Sequence, residues 1–355
     1  MQRVSFNNKN SVFFNALKAK VDTYFKSNNI KETGNFKLYL KTIILSLTAI
    51  TLYTTLVFFT PEVWISLILC ALLGVNLAGI GFNVMHDGAH GSFSTKSWIN
   101  DIMGYSLNAM GGSVLLWKYK HNVNHHSFTN IEGMDDDIDI KPWIRVHEDQ
   151  EKHWYHRFQH IYWVGLYGVT YLLWIFFQDF KKYFTGKIGD LPFRKMSVKE
   201  HFIFWISKLL YIGAFIVLPI FTVGLAEMLI GYTVASFVCG FLIAVVFQLA
   251  HIVEDAAFET PTSPNHKVEA EWAVHQVQTT ANFATKSKIV SWFTGGLNYQ
   301  VEHHLFPRIS HIHYPKINQF VQETCEQFGV QYLEFPTVLS AVKSHVDHLK
   351  YVGRN

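Results

Sequence analysis

Four stretches of this chain run for about the width of a bilayer with no charge, or a single lysine, and they come as two pairs. Residues 42 to 59 hold no charged side chain, and after Thr60-Pro61-Glu62 a second run extends from Val63 to about Val84. The second pair covers Phe202 to Val223 and Met228 to Ala250, with only Gly224-Leu225-Ala226-Glu227 between them. A helix needs about 20 apolar residues to cross the hydrocarbon core, so each run is long enough. The pattern predicts an all-α integral membrane protein with four transmembrane helices in two hairpins, spanning 42–59, 63–84, 202–223 and 228–250. Whole-chain composition hides this, because 49% hydrophobic and 16% charged residues are ordinary as averages.

Charge placement orients the hairpins. The turns at 60–62 and 224–227 contain no Lys or Arg, whereas the N-terminal arm, residues 85–201 and the C-terminal segment hold nearly all of them. By the positive-inside rule both termini and the middle segment face the cytoplasm. Burial of the same helices in a soluble protein would not produce that asymmetry. Lys208 lies inside the third run, about two turns from its cytoplasmic end, and is expected to snorkel to the interface as an anchor. The division that follows is a cytoplasmic arm (1–40) with an amphipathic helix, a membrane domain (41–315) and a cytoplasmic tail (316–355).

Eight histidines fall where apolar runs end or in the polar stretches that follow. They read His86-Asp-Gly-Ala-His90, His121-Asn-Val-Asn-His125-His126 and Gln300-Val-Glu-His303-His304, with His251 alone after the fourth run. Side chains at i and i+4 share a helix face, so His86/His90 and His121/His125 can each converge on a metal. The predicted topology brings all eight out on the cytoplasmic side, under a helical cap. A structural zinc site stops at four ligands and a catalytic one keeps three, so eight imidazoles imply two metal ions. Nitrogen-rich ligation with open positions points to iron working on dioxygen. Soluble di-iron proteins use Glu-x-x-His pairs on bundle helices, and none occurs here at a suitable position. In a membrane, the C–H bond to be oxidised is expected to belong to a lipid. A metal transporter, the reading from another class, would need polar groups in mid-membrane that these runs almost lack.

The motifs His86-Asp-x-x-His90, His121-Asn-x-x-His125-His126 and Gln300-x-Glu-His303-His304-Leu-Phe-Pro307 resemble those of the membrane fatty acyl desaturases, from the first hairpin to about residue 315. Gln300, where most relatives have histidine, resembles the front-end type, which inserts a cis double bond between an existing one and the carboxyl end, as in delta-5 and delta-6 (linoleoyl-CoA desaturase-like) enzymes. The resemblance implies that His86, His90, His121, His125, His126, His251, His303 and His304 bind two iron ions, with Gln300 a further possible ligand, and that dioxygen is the co-substrate. It implies an acyl-CoA or acyl-lipid substrate. Many front-end relatives carry a fused cytochrome domain with a His-Pro-Gly-Gly motif absent from this sequence, so the electron donor is expected to be a separate b-type cytochrome or ferredoxin with its reductase. Val21-Asp-x-Tyr24-Phe25 resembles the bacterial branch without that fusion, and with it a bacterial inner membrane. The alternative within enzymes is a lipid or carotenoid hydroxylase of the same histidine superfamily.

Metal-bound imidazoles usually pass their other N–H to a carboxylate or carbonyl, which makes Asp87, Asn124, Asp255 and Glu302, all near ligands, the expected supports. By the family resemblance Trp117 lies near the acyl chain and His275 in the pocket. The run Asp135-Asp136-Asp137 with Asp139 is read as capping or solvating a loop. His153, His156 and His160 are expected at the interface, His311 and His313 behind the site or at the surface, and His147, His201, His266, His345 and His348 in solvent. Residues 11–26 place Phe13, Leu17, Val21 and Tyr24 at helical spacing, for a helix lying on the membrane or packed on the cytoplasmic domain. Residues 97–116, broken by Gly111-Gly112, and 158–177 are expected to be interfacial. Cys70, Cys239 and Cys325 are read as packing residues, and a net charge of +3 is too small to suggest nucleic acid.

Overall fold

The computed structural model describes residues 3–9, 11–189, 191–263 and 265–355, and most of them are helical. The architecture rests on α1 (Val12–Ser27), α2 (Phe36–Phe59), α3 (Val63–His90), α4 (Trp154–Thr185), α5 (Val198–Val223), α6 (Leu225–His251), α7 (Gln300–Leu305), α8 (Tyr314–Phe328) and α9 (Val338–Arg354). By length and composition, α2 to α6 are each able to cross a membrane. Four of these five contain the apolar runs, and two of them reach past the runs to the histidines: α3 continues through a π turn at Gly81–Met85 into the first histidine pair, and α6 ends on His251. At those ends the polar side chains are buried against protein, so the helix need not stop where the apolar run does.

A fifth helix joins the four expected ones in being long and apolar enough to cross a membrane. Trp154–Thr185 is one helix of 32 residues, where the sequence pointed to a shorter segment over 158–177. Charges near its end obscured its length, yet Asp179 and Lys182 are buried with partners, Lys208 and Asp136, each at 2.8 Å. Both ends of α4 are bonded to the loop that follows the second histidine cluster. Near its start, the Gln159 side chain accepts from the Arg145 N–H (2.9 Å) and donates to the Arg145 carbonyl (2.8 Å); near its end, Lys182 meets Asp136.

Lys208 also departs from expectation. Its ammonium is held inside the protein, donating to the carbonyls of Gly111 (2.6 Å) and Ile175 (2.8 Å) and to Asp179 (2.8 Å). Partners inside the bundle replace water, which is how a buried charge is tolerated.

Small residues set the helix spacing. A Cβ on Gly74 of α3 would stand 2.4 Å from the Ala235 carbonyl of α6, and one on Gly240 of α6 would stand 2.7 Å from the Gly168 carbonyl of α4. Close backbone approach of this kind is the usual packing device where lipid removes the hydrophobic drive between helices. Cys70, Cys239 and Cys325 are buried and free, as packing residues should be.

The remaining segments form a layer over one end of the bundle. Helix α1 packs Phe13, Leu17, Val21 and Phe25 against Ala273, Val301, Ile317 and Val321, so it is docked on protein and its apolar face is not offered to lipid. Phe25 takes the place on that face expected for Tyr24. Glu271 caps the helix, accepting from the amides of Phe13 (3.2 Å) and Phe14 (2.9 Å) at its positive end. The 97–116 stretch folds as three short helices, Ser97–Gly104, Ser106–Ala109 and Val114–Lys118, with Trp98 and Ile102 exposed. Three two-stranded pairings add a little β structure: Arg3–Phe6 parallel to Asn265–Val268, Lys187–Ile188 antiparallel to Leu191–Pro192, and Ala281–Phe283 parallel to Leu333–Phe335. Helix α9 is no loose tail, since Leu349 is buried in one cluster with Trp163 and Tyr167 of α4.

Candidate metal centre

All eight histidines meet at the ends of α3 and α6, and none is more than 8% exposed. Each cluster converges for a local reason. His86 and His90 are one turn apart on α3, their rings 4.6 Å from one another. The second cluster sits on a π-helical segment, Tyr119–His125, whose wider winding is seen in the bond from the His126 amide to the His121 carbonyl (3.1 Å), five residues back. That turn brings His126 beside His121, with Nε2 atoms 3.3 Å apart. Single π turns of this kind recur at functional sites. His303 and His304 lie on the short helix α7, and His251 is the last residue of α6.

Two nests result. One ring nitrogen from each of His86, His90, His121 and His303 lies within 4.8 Å of the others, and the same holds for His125, His251 and His304. His126 stands between them, its ring 4.6 Å from those of both His303 and His304.

The outer nitrogens are held by protein. His121 Nδ1 meets Asp137 at 2.7 Å, His125 Nδ1 meets Asp135 at 2.9 Å, and His303 Nδ1 meets the Tyr314 hydroxyl at 3.1 Å. His304 Nδ1 donates to Gln276 Oε1 (2.8 Å), and His251 Nδ1 faces the Thr279 carbonyl (3.3 Å). The inner nitrogens are the reverse: Nε2 of His86, His90, His125, His251, His303 and His304 are buried without a protein partner. A buried imidazole nitrogen left unbonded is costly, and metal ions would satisfy the six together. A set of neutral nitrogen donors with no thiolate suits iron, zinc, copper or nickel, and the residues therefore fit two such ions.

Electrostatics keeps the donors ready. Burial, reinforced by the neighbouring imidazoles, holds His126, His303 and His304 well below the usual histidine range, and a metal needs the neutral ring. Burial also lowers His125, but the Asp135 and Asp137 carboxylates together outweigh it and leave the net shift upward. Burial would raise the pKa of Asp137; Lys120 at 2.6 Å and His121 hold it well below the carboxylate range instead.

The supports are not the residues the sequence singled out. Asp255 is exposed with a left-handed φ of 66° and makes no bond to His251. Asn124 is buried, but only its backbone carbonyl is engaged, by Ser127 and Phe128. Asp87 accepts from Ser310 (2.7 Å) and lies 3.1 Å from His311. Glu302 accepts from Asn282 (2.6 Å) and Asn318 (3.1 Å), and burial pushes its pKa up to about 7. Residues adjacent in a helix point to different faces, so sequence neighbours of a ligand look away from it. The carboxylates that reach imidazoles of the two nests, Asp135 and Asp137, come from the acidic run read as loop solvation.

Other assignments resolve similarly. Trp117 is buried and stacked on His121 with centroids 4.4 Å apart, in an apolar cluster with Met85, Ala89, Leu107 and Val114. His275 is tied to the Thr129 carbonyl (2.8 Å) and packs on Phe6, so it braces the segment after the second cluster. Gln300 is buried and its Oε1 has no protein partner. Lys41, unremarked in the sequence, is buried at the start of α2, donating to Asn83 (2.7 Å) and the Trp292 carbonyl (3.1 Å) and lying 3.4 Å from His311. Of the histidines expected in solvent, His345 is fully buried, and His348 and His266 are bonded to the Val146 carbonyl and Glu259. A cleft of about 440 Å³, lined among others by Lys118, Asn122 and Arg308, reaches His90 and His126 from outside.

Five helices of membrane-spanning length and two nests of buried imidazoles fit an integral membrane protein with a metal site. The profile of the fatty acid desaturase family matches residues 62–336. The chain is 40% identical over 349 residues to an acyl-lipid (8-3)-desaturase of Physcomitrium patens, covering 97% of this chain and 72% of that protein. It is 36% identical to an sn-1 linoleoyl-lipid 6-desaturase of Arthrospira platensis (97% of this chain, 93% of that one) and 35% identical to one of Synechocystis (99% and 98%). The chain belongs to the fatty acid desaturase family. It is an oxidoreductase of front-end type that introduces double bonds into fatty acyl chains, and the hydroxylase reading is not favoured.

Proposed function

We propose that this desaturase uses two iron ions and dioxygen to insert a double bond between an existing one and the carboxyl end of an acyl chain esterified in a membrane lipid. The observation that carries this reading is the pair of histidine nests with inward, unpartnered nitrogens. Each double bond formed consumes one dioxygen, two electrons and two protons and releases two waters, the substrate losing one hydrogen from each of two adjacent carbons. Bound iron supplies the redox chemistry with dioxygen that an unactivated C–H bond requires. His86, His90, His121 and His303 would hold one ion, His125, His251 and His304 the other, with His126 between them. Asp135 and Asp137 fix the rings of His125 and His121, burial keeps bulk water from the reacting carbons, and Trp117 with its apolar neighbours lines the side from which a chain can approach His86 and His90.

The lipid-bound form of the substrate is supported by the relatives, which are acyl-lipid and linoleoyl-lipid desaturases. Because both ends of α4 are bonded to the site-bearing layer, we read this helix as lying along the interface, which leaves four crossings with the termini and the site in the cytoplasm. The two electrons come from a separate carrier protein.

The test is to express the chain in a host supplied with linoleate and related acids and to locate new double bonds by mass spectrometry in each lipid class. A new bond on the carboxyl side of the existing one, in glycerolipid before the coenzyme A pool, is the expected outcome. A bond on the methyl side, or a hydroxylated chain, overturns the reading.

Gln300 gives a second test. Its carbonyl is a weak neutral donor, buried one turn before His303 and His304 on α7, and no described residue bonds it. Gln300→Ala is expected to lower turnover about tenfold, the lower end of the effect of disturbing a metal site's surroundings. Gln300→His is expected to impair turnover as well, by filling an open position. Equal rates for all three proteins at equal iron content would show that the residue only packs.

A further inference from the structure

Helix α6 ends on His251, and a helix end leaves carbonyls without intrahelical partners. Here the last helical carbonyl and the one after it are both taken up by side chains from other segments. The His251 carbonyl accepts from Asn130 Nδ2 (3.1 Å). The next residue, Ile252, leaves helical geometry (φ −110°, ψ 72°), and its carbonyl meets Nδ1 of His345 on α9 at 2.6 Å. One residue before His345, the Ser344 hydroxyl accepts from the Glu254 amide (3.0 Å). His345 is fully buried, and its Nε2 lies 3.0 Å from the hydroxyl of Tyr167 on α4, itself fully buried.

These contacts determine a tautomer. A carbonyl can only accept, so His345 carries its proton on Nδ1 and uses Nε2 to accept from Tyr167. Burial pushes the His345 pKa down to about 4, in keeping with a neutral ring. One imidazole thereby joins three helices at the residue that follows a ligand of the smaller nest.

We propose that His345 is a positioning residue for the three-histidine half of the centre: by binding the Ile252 carbonyl and the Tyr167 hydroxyl at once, it sets the end of α6 so that His251 faces His125 and His304. The nest it serves has three imidazoles, against four in the other, so it has less to lose before an ion is released. A cavity opened elsewhere on α9 would destabilise the protein without choosing between the two nests. The inference rests on the two-iron reading above.

The experiment measures iron per chain in purified protein, with spectroscopy of the iron and thermal unfolding of the iron-free protein. His345→Ala is expected to fall from about two irons to about one, with the iron-free unfolding profile largely kept. His345→Asn, whose amide nitrogen can stand near Nδ1 and still bind Ile252, is expected to restore most of the second iron. Two irons in the alanine variant, or equal impairment of the alanine and asparagine variants, would overturn the proposal. If the alanine variant does not accumulate, His345→Gln takes its place, since its longer side chain favours Tyr167 over Ile252; one iron supports the proposal and two overturn it. A wild-type protein without a pair of irons would instead sink the two-iron reading itself.

Discussion

Replacing His304 by alanine is expected to reduce desaturation by at least about a thousandfold, because residues that act as one unit cost nearly as much singly as together. The size follows from the geometry of its nest. His125, His251 and His304 make up that nest among the described residues, so losing one leaves two of its three imidazoles, with His126 beside them. The same substitution removes one of the two donors to Gln276 Oε1, which still accepts from the Thr129 hydroxyl (2.8 Å), and takes a neighbour from Thr129, both residues being buried. None of these groups lies in the apolar bundle, so insertion into the membrane and yield should be close to wild type. Iron per chain should drop by about half, whereas His90→Ala, drawn from the four-histidine nest, should keep more iron while also losing turnover. Full activity in purified His304→Ala would refute the ligand assignment outright.

The contrast between the two nests shows what a sequence can and cannot reveal in this protein. The eight histidines were legible because neutral nitrogen donors in clusters at the ends of apolar runs have few other uses, and the structure gathers all eight. The runs themselves were legible because lipid tolerates almost no charge across a span, and four of the five long helices contain them. Helix α4 was obscured by Asp179 and Lys182, whose charges read as an exposed end and are in fact paired. Lys208 misled for the same reason, since a lone charge in an apolar run discloses nothing about a carboxylate 29 residues away.

Support of the ligands was the least legible part. Adjacency in sequence nominated Asp87, Asn124, Asp255 and Glu302, but helical geometry turns each of them from the ligand it neighbours or exposes it. The true partners are brought by folding: Asp135 and Asp137 from 10 and 16 residues downstream, Gln276 and Tyr314 from other helices. One signal was present. An acidic run shortly after a histidine cluster places alternate carboxylates on one side of a loop, where they can reach alternate rings.

That run yields the second large effect. Asp135 is buried and fully engaged: besides His125 Nδ1, its carboxylate accepts from the amides of Asn130 and Asp137, each at 3.0 Å. Asp135→Asn keeps the shape but turns one acceptor into a donor, which then opposes an N–H that has no other acceptor nearby. It also removes the charge that aligns the His125 ring. Loss of such a partner typically costs 10–100-fold in metal affinity or activity, and the triple role of Asp135 places the expectation near about a hundredfold. Asp139 is the control within the same loop, because it pairs with Lys141 at 3.1 Å where both are partly exposed and it touches no imidazole. Asp139→Asn should keep iron and turnover within about twofold of wild type, as exposed ion pairs contribute little. The measurements are iron retained after dialysis against a chelator and product formed per hour. If Asp135→Asn behaved like Asp139→Asn in both, the loop carboxylates would be solvating residues after all and the imidazoles would owe their alignment to packing alone.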